Sequence, residues 1–221
     1  YEVRGVQGTR YGVLLEASAY PAPRTRTPSQ RTTPRMAPPT KRPRVGIVGA
    51  GVAGLGVALA LRDAPVETVL IEKSRGPSGR CATRRRDGFA YDHGANFIDL
   101  SAVAEVRDVF ERWVPEDEYA LVAGAIWTHD AQGKRSPGRN ETQQRFSLRG
   151  GISRLGRHLL DASGARLLTE TRATSVHRAA GGWIVETDGQ ETLGPFDALV
   201  LSLVSTVIGW LLPEGRKRRR D

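Results

Sequence analysis

The stretch "RVGIVGAGVAGLGVALALRD", residues 44–63, constrains this 221-residue chain more than any other. Residues 44–49 are a short, β-branched apolar run ending in glycine, which reads as a buried strand. Residues 52–63, with Leu55, Ala58 and Leu59 on one stripe, read as a helix that stops near "DAP". "VETVLIE", residues 66–72, reads as a second buried strand. A strand–helix–strand unit of this length has a right-handed crossover and parallel strands, which commits the chain to an α/β architecture.

Gly49, Gly51 and Gly54 form G-x-G-x-x-G where the strand gives way to the helix. The first permits a tight turn, the second lets a pyrophosphate approach the backbone, and the third allows the helix to pack close to the strand. The helix N-terminus adds unpaired amides and the positive end of a dipole. Alone, the same pattern also describes a glycine-rich turn that binds nothing. Glu72 shifts the balance. It ends the second strand, where a carboxylate accepts hydrogen bonds from a ribose and repels a 2′-phosphate, so NADP is disfavoured. NAD and FAD share this unit, and these residues do not choose between them.

The next loop does. "EKSRGPSGRCATRR" (72–85) and "YDHGANFI" (91–98) resemble the FAD-dependent amine oxidase superfamily, whose pattern there is E-K-x-x-x-x-G-G-R-x-x-T. The resemblance is closest to its renalase-like NAD(P)/FAD-dependent oxidoreductases. It continues through "RGGISRLGRHL", similar to G-G-M-S-x-L-x-x-x-L, then "LLTETRATSVHRAAGGWIVETDGQ" and "FDALVLS", and covers residues 44–203.

The resemblance implies a Rossmann-like FAD-binding domain with an inserted, incomplete α+β substrate domain. FAD would be held by Gly49, Gly51, Ala53, Gly54, Glu72, Lys73, Arg80, Asn96, Phe97 and Val176. Arg80 offers a forked donor to the dinucleotide phosphates. The strand carrying Val176 packs near the adenine end through its backbone in such enzymes. Hydride would pass from an amine or dihydronicotinamide-like substrate to flavin and then to molecular oxygen. Ser78 departs from the pattern at the first glycine of G-G-R, and Asn96 and Phe97 stand where the family has Gln and Tyr. No catalytic acid or base is assignable. His93 is read as a structural hydrogen-bonding group and Cys81 as a packed or idle thiol, while covalent flavin attachment at Cys81 is the alternative. Arg84–Arg86 are read as solvated loop arginines.

The domain reading follows the resemblance: a cofactor-binding unit at 44–100, part of a substrate domain at 101–149, and a return to the cofactor domain at 150–203. Within it, 73–88 reads as a glycine- and arginine-rich loop, 102–114 as a helix, 119–129 as an alternating strand, 130–145 as polar and turn-rich, and 150–163 as a helix. "ARLLTET", "ATSVHRA" and "GWIVETD" read as three strands, the last two joined by an Ala-Gly-Gly turn, and "FDALVLS" (196–202) as a buried strand. Trp113, Trp127, Trp183 and Trp210 are read as core or surface fill.

The ends read differently. Residues 1–43, rich in Arg, Pro, Thr and Ser, lack the apolar surface to offset ordering entropy and read as disordered. The only methionine is Met36, and we expect it to be the natural start. Past Val204 the resemblance ends, and "VSTVIGWLLPEGRKRRRD" (204–221) reads as an aberrant basic tail from a retained intron or another truncation. That reading leaves open a non-catalytic fragment that binds the dinucleotide without turning over substrate.

Charge adds little. The net +9 comes from the ends, since residues 44–215 carry 20 basic against 21 acidic side chains. A neutral body with solvated basic tails argues against a nucleic-acid partner. The apolar run 198–212 is shorter than the roughly 20 residues a membrane helix needs, so a tail anchor flanked by basic residues is disfavoured and no membrane partner is expected. The four histidines lack metal-ligand spacing, and one cysteine rules out an internal disulfide. The cytoplasm is the expected location, the Arg-rich, acid-poor leader also permitting a mitochondrial one.

Overall fold

The computed structural model describes residues 41–101, 103–123, 127–138, 144–204, 207–208 and 211–212. The expectations for residues 1–40, Met36 and Trp210 lie outside the described residues, as do those for most of 204–221.

The chain opens with β1 (Arg44–Val48), α1 (Val52–Ala60) and β2 (Glu67–Ile71). A hairpin of β3 (Thr83–Arg86) and β4 (Phe89–Asp92) follows, then β5 (Ile98–Asp99) and α2 (Ala104–Trp113). After a 3-10 turn at Glu116–Glu118 come β6 (Tyr119–Leu121), β7 (Trp127–His129), β8 (Arg135–Pro137) and β9 (Arg145–Leu148). Helix α3 (Arg154–Ser163) leads into β10 (Arg166–Leu168). Three strands, β11 (Ala173–Ala179), β12 (Gly182–Thr187) and β13 (Thr192–Phe196), precede β14 (Ala198–Leu201).

The central sheet has the order β10-β2-β1-β14, every pair parallel. Successive residues of its strands point to opposite faces, and both faces are covered, as a parallel sheet requires. Val45, Ile47 and Leu70 pack with Leu55, Ala58 and Leu59 of α1 and Leu155 and Leu159 of α3. Val48, Val69 and Ile71 point the other way, onto Val176, Val185 and Phe196 of the antiparallel β11-β12-β13 sheet. Side chains such as Ile47, Leu55 and Leu70, which are fully buried, each contribute about 1.5–3 kcal/mol. Leu100, Phe110, Val114 and Leu148, from or beside the segment 101–149, enter the same core as α1 and α3. Phe110 stacks edge-on against Tyr119, 4.8 Å between centroids.

Several expected boundaries move. The region 73–88 is not all loop: Thr83–Arg86 pairs with Phe89–Asp92 across Asp87-Gly88, both at positive φ (53° and 80°). Asp-Gly at these dihedrals is the two-residue turn that matches strand twist. The expected strand 119–129 is divided. Tyr119–Leu121 pairs with β9, whereas Trp127–His129 pairs with β8, because Asp130 Oδ1 accepts the amides of Gln132 and Lys134 and closes a separate hairpin. "FDALVLS" is also divided: Phe196 belongs to β13 and the parallel strand begins at Ala198. Helix α3 starts at Arg154 rather than at the glycines, since Gly150 and Gly151 both have positive φ.

Candidate functional site

The glycine turn sits at the C-terminal end of β1. Gly49 has φ +103°, its amide donates to Ile71 O at 2.8 Å, and a Cβ there would run into the Ser202 carbonyl oxygen. A Cβ on Gly54 would run into the Gly49 carbonyl, so this residue lets α1 press against the turn. Gly51 differs: its Cβ would meet only Gly79 Cα, at 3.9 Å, and that side is otherwise open. Gly51 caps α1 without a side-chain bond, and Val52 and Ala53 are exposed. The first amides of α1 therefore have no intrahelical partner and face accessible space.

Glu72 closes the other side. Its carboxylate is buried, with Oε2 accepting Ala50 N–H at 2.9 Å and Oε1 accepting Ser74 N–H at 2.9 Å. The backbone around it is braced by β10 and the residues after it: Glu72 N–H donates to Leu168 O and Thr171 N–H to Glu72 O. Each carboxylate oxygen has a lone pair left for another donor.

The loop after Glu72 lies on the glycine turn. Ser78 N–H donates to Ala50 O at 2.9 Å, and Ser78 forms a parallel bridge with Gly51. Arg80 is exposed, and its carbonyl accepts Ala95 N–H at 3.0 Å, which brings Arg80 beside Asn96 and Phe97. Gly94 is required at that crossing, since a Cβ would strike Arg80 O. Asn96 and Phe97 are exposed, the Phe97 ring lying 4.6 Å from the Arg145 guanidinium. Lys73 is exposed at the start of the loop. Val176 is fully buried with Val48 and Ile71, the residues that end β1 and β2 just below the turn. The structure thus gathers Gly49, Gly51, Ala53, Gly54 and Glu72 at one sheet end. Arg80 lies on the loop before β3, Asn96 and Phe97 on the segment between β4 and β5 that the Ala95–Arg80 bond joins to it, and Val176 in the core beneath.

Burial pushes the Cys81 thiol up, against the pull of Arg80, with Asp92 adding to the rise. That keeps it protonated near neutral pH and poorly nucleophilic. His93 is exposed, and its backbone amide donates to Ala82 O.

Sequence reasoning missed what the arginine loop does for α3. Ser153, at the helix start, makes no side-chain cap bond. Instead Ile152 N–H donates to Asp92 Oδ1 at 3.0 Å, Ser153 N–H to Thr83 Oγ1 at 3.0 Å, and Gly156 N–H to Ser78 Oγ at 3.2 Å. Thr83 Oγ1 donates in turn to Asp92 Oδ1 at 2.6 Å. Ser78 is buried with φ +109°, a conformation that favours glycine, and a Cβ on Gly156 would come within 2.7 Å of it. Arg85, expected to be a solvated loop arginine, donates to Gly150 O at 2.6 Å. The Asp-Gly pair at 87–88 was the signal for this hairpin; nothing local signals its attachment to α3.

A parallel sheet, a glycine turn opening its first crossover helix and an acid on the neighbouring strand form a dinucleotide-binding arrangement. Residues 47–113 match the NAD(P)-binding Rossmann-like domain family. The domain is Rossmann-like.

Solved structures agree on the fold. A candidate protoporphyrinogen oxidase from Exiguobacterium sp. 255-15 superposes with TM-score 0.62 at 15% identity, over 79% of this chain and 62% of that one. A conjugated-linoleic-acid-producing fatty acid isomerase from P. acnes gives 0.64 at 11% identity, over 80% and 63%. Putrescine oxidase bound to putrescine gives 0.54 at 15% identity, over 74% and 57%. This chain therefore spans less than two thirds of the length of each. Among the described residues no helix is long and apolar enough to cross a membrane, and no group of three or more His, Cys, Asp or Glu side chains could hold a metal ion.

Proposed function

We propose that the Rossmann-like domain binds FAD, and that the chain is part of a flavin-dependent oxidoreductase of the amine oxidase type, renalase-like in its motifs. Its substrate would be an amine or a reduced nicotinamide-like compound, with oxygen as acceptor. The observation that carries this reading is the buried Glu72 carboxylate bonded to Ala50 N–H inside the glycine turn, 22 residues away in sequence.

The residues present fit the group. Gly51 leaves open the space that a Cβ would take, and the first amides of α1 reach it. Glu72 has lone pairs for ribose hydroxyls, and its charge disfavours a 2′-phosphate. Arg80 would supply an exposed guanidinium for the diphosphate, with Lys73 a second exposed cation on the same loop. Asn96 and Phe97 would orient the ring end, and the strand of Val176 the adenine end. When bound, the flavin supplies the redox chemistry, accepting hydride from a C–H next to nitrogen. The protein's share is to hold the dinucleotide and exclude water. Residues 44–100 and 150–203 would do the holding, while 101–149 contributes to the substrate side. The fold neighbour bound to putrescine, itself an amine, supports the substrate class.

The test is a visible absorption spectrum of the purified full chain. Flavin bands, present on purification or after adding FAD and gel filtration, support the reading, and bleaching by an amine or a reduced nicotinamide extends it to turnover. Protein that stays colourless after FAD addition overturns it.

A further inference from the structure

The head of α3 carries a second constellation, separate from the glycine turn. A cavity of about 330 Å³ is lined by Arg85, Ser153, Arg154, Arg157 and His158, so every ionisable side chain in its wall is basic. Arg85 enters from β3 and is steadied by its Nη2 donation to Gly150 O. Arg154 and His158 are both held by one acid, Glu118, whose Oε2 lies 2.6 Å from Arg154 Nη2 and 3.0 Å from His158 Nε2. Arg157 is exposed, and its side chain makes no hydrogen bond or ion pair among the described residues. Of the three guanidinium groups only that of Arg154 has a carboxylate partner among the described residues, since the Asp92 carboxylate at the helix head bonds the Ile152 amide and the Thr83 hydroxyl; Arg85 and Arg157 leave two positive charges without an acid.

We propose that this cavity binds a small dianion of the phosphate type. Forked guanidinium donors match a tetrahedral oxyanion, and two uncompensated charges match a dianion. The helix terminus is not the source of the site. The amides of Ile152, Ser153 and Gly156 already donate to Asp92, Thr83 and Ser78. The donors are the side chains of Arg85, Arg154 and Arg157, with the Ser153 hydroxyl beside them. Glu118 sets the strength: it orders Arg154 and His158 and at the same time removes part of the positive field. The proposal goes beyond the dinucleotide reading, because none of the lining residues belongs to the glycine turn or the Glu72–Arg80 loop.

Isothermal titration calorimetry of the full chain with inorganic phosphate, at constant ionic strength set with potassium chloride, tests it. Saturable one-site binding is expected. Arg157→Ala should weaken it about tenfold, the loss of one hydrogen bond to a charged group, with an unchanged far-ultraviolet spectrum. Glu118→Gln, which frees Arg154 and His158, should tighten it. Glycerol phosphate binding as well as inorganic phosphate identifies a phosphate monoester as the natural source, and binding of inorganic phosphate alone identifies the free ion. The absence of saturable heat at millimolar phosphate overturns the proposal. So does phosphate binding that is the same in Arg157→Ala as in the parent chain, which would place the anion elsewhere.

Discussion

Ser78 Oγ accepts the Gly156 amide at 3.2 Å, joining residues 78 positions apart. The same serine reaches the glycine turn through its own N–H, bonded to Ala50 O. One small residue thus ties the first turn of α3 to the turn that opens α1. Its φ of +109° makes the arrangement costly for any side chain, and the hydroxyl offsets part of that cost.

Substitution at Ser78 separates the two effects. Ser78→Ala keeps the unfavourable dihedral and loses the hydrogen bond, whereas Ser78→Gly relieves the dihedral. The glycine variant should be the more stable of the two by about 1–2 kcal/mol, the scale of a residue held in a sparsely populated backbone region. Urea unfolding of both variants measures the difference; equal midpoints would show that the dihedral is not strained.

At Glu72, replacement by Gln swaps one accepting oxygen for a donor next to the Ala50 or Ser74 amide. Stability should fall by about 1–3 kcal/mol, the cost of an unsatisfied buried donor. FAD affinity should fall about tenfold or more, since a charged acceptor for the ribose is lost. Urea unfolding and fluorescence titration with FAD report the two losses separately.

Thr83 links Asp92 to the Ser153 amide. Thr83→Val keeps the shape and removes the hydroxyl, which should cost about 1–2 kcal/mol as two hydrogen bonds are lost. Hydrogen exchange should show the Ser153 amide exchanging faster, while amides in β1 and β2 keep their protection.

Acid should loosen the joint between the 3-10 turn and α3. Burial opposes the charge on Glu118, yet its hydrogen bonds to His158 and Arg154 outweigh that and hold the carboxyl below its ordinary value of 4.5. A carboxyl with a depressed folded pKa contributes stability that is present above the unfolded value and is lost as pH falls through the folded one. The parent chain should therefore lose stability below about pH 4.5 more steeply than Glu118→Gln, as read from urea midpoints across pH 3–7.

Gly54→Ala should prevent close packing of α1, because the new methyl runs into the Gly49 carbonyl. Gly56→Ala is the control on the same helix, since nothing lies within 4 Å of its would-be Cβ. Overpacking of this kind costs about 1–3 kcal/mol, whereas the control should be neutral or stabilising. Thermal unfolding of the pair reads the contrast.

The sequence by itself determined the parts whose signals are local. The strand–helix–strand unit, the parallel pairing of β1 and β2, and the register of Gly49, Gly51, Gly54 and Glu72 all follow from apolar periodicity and glycine sterics within thirty residues. The hairpin across Asp87-Gly88 carried a local signal in its turn residues, but the glycine- and arginine-rich composition around it read as loop. Only the tertiary structure decided that Ser78, Thr83 and Asp92 satisfy the opening amides of α3. It also decided that Arg85, Arg154 and Arg157 converge on one cavity, and that Phe196 leaves the strand its apolar run suggests. The α3 bonds join residues 60 to 78 positions apart, chosen by which buried amides still need a partner once the core has closed, and Phe196 instead pairs with Trp183 of β12. No short-range pattern encodes that choice.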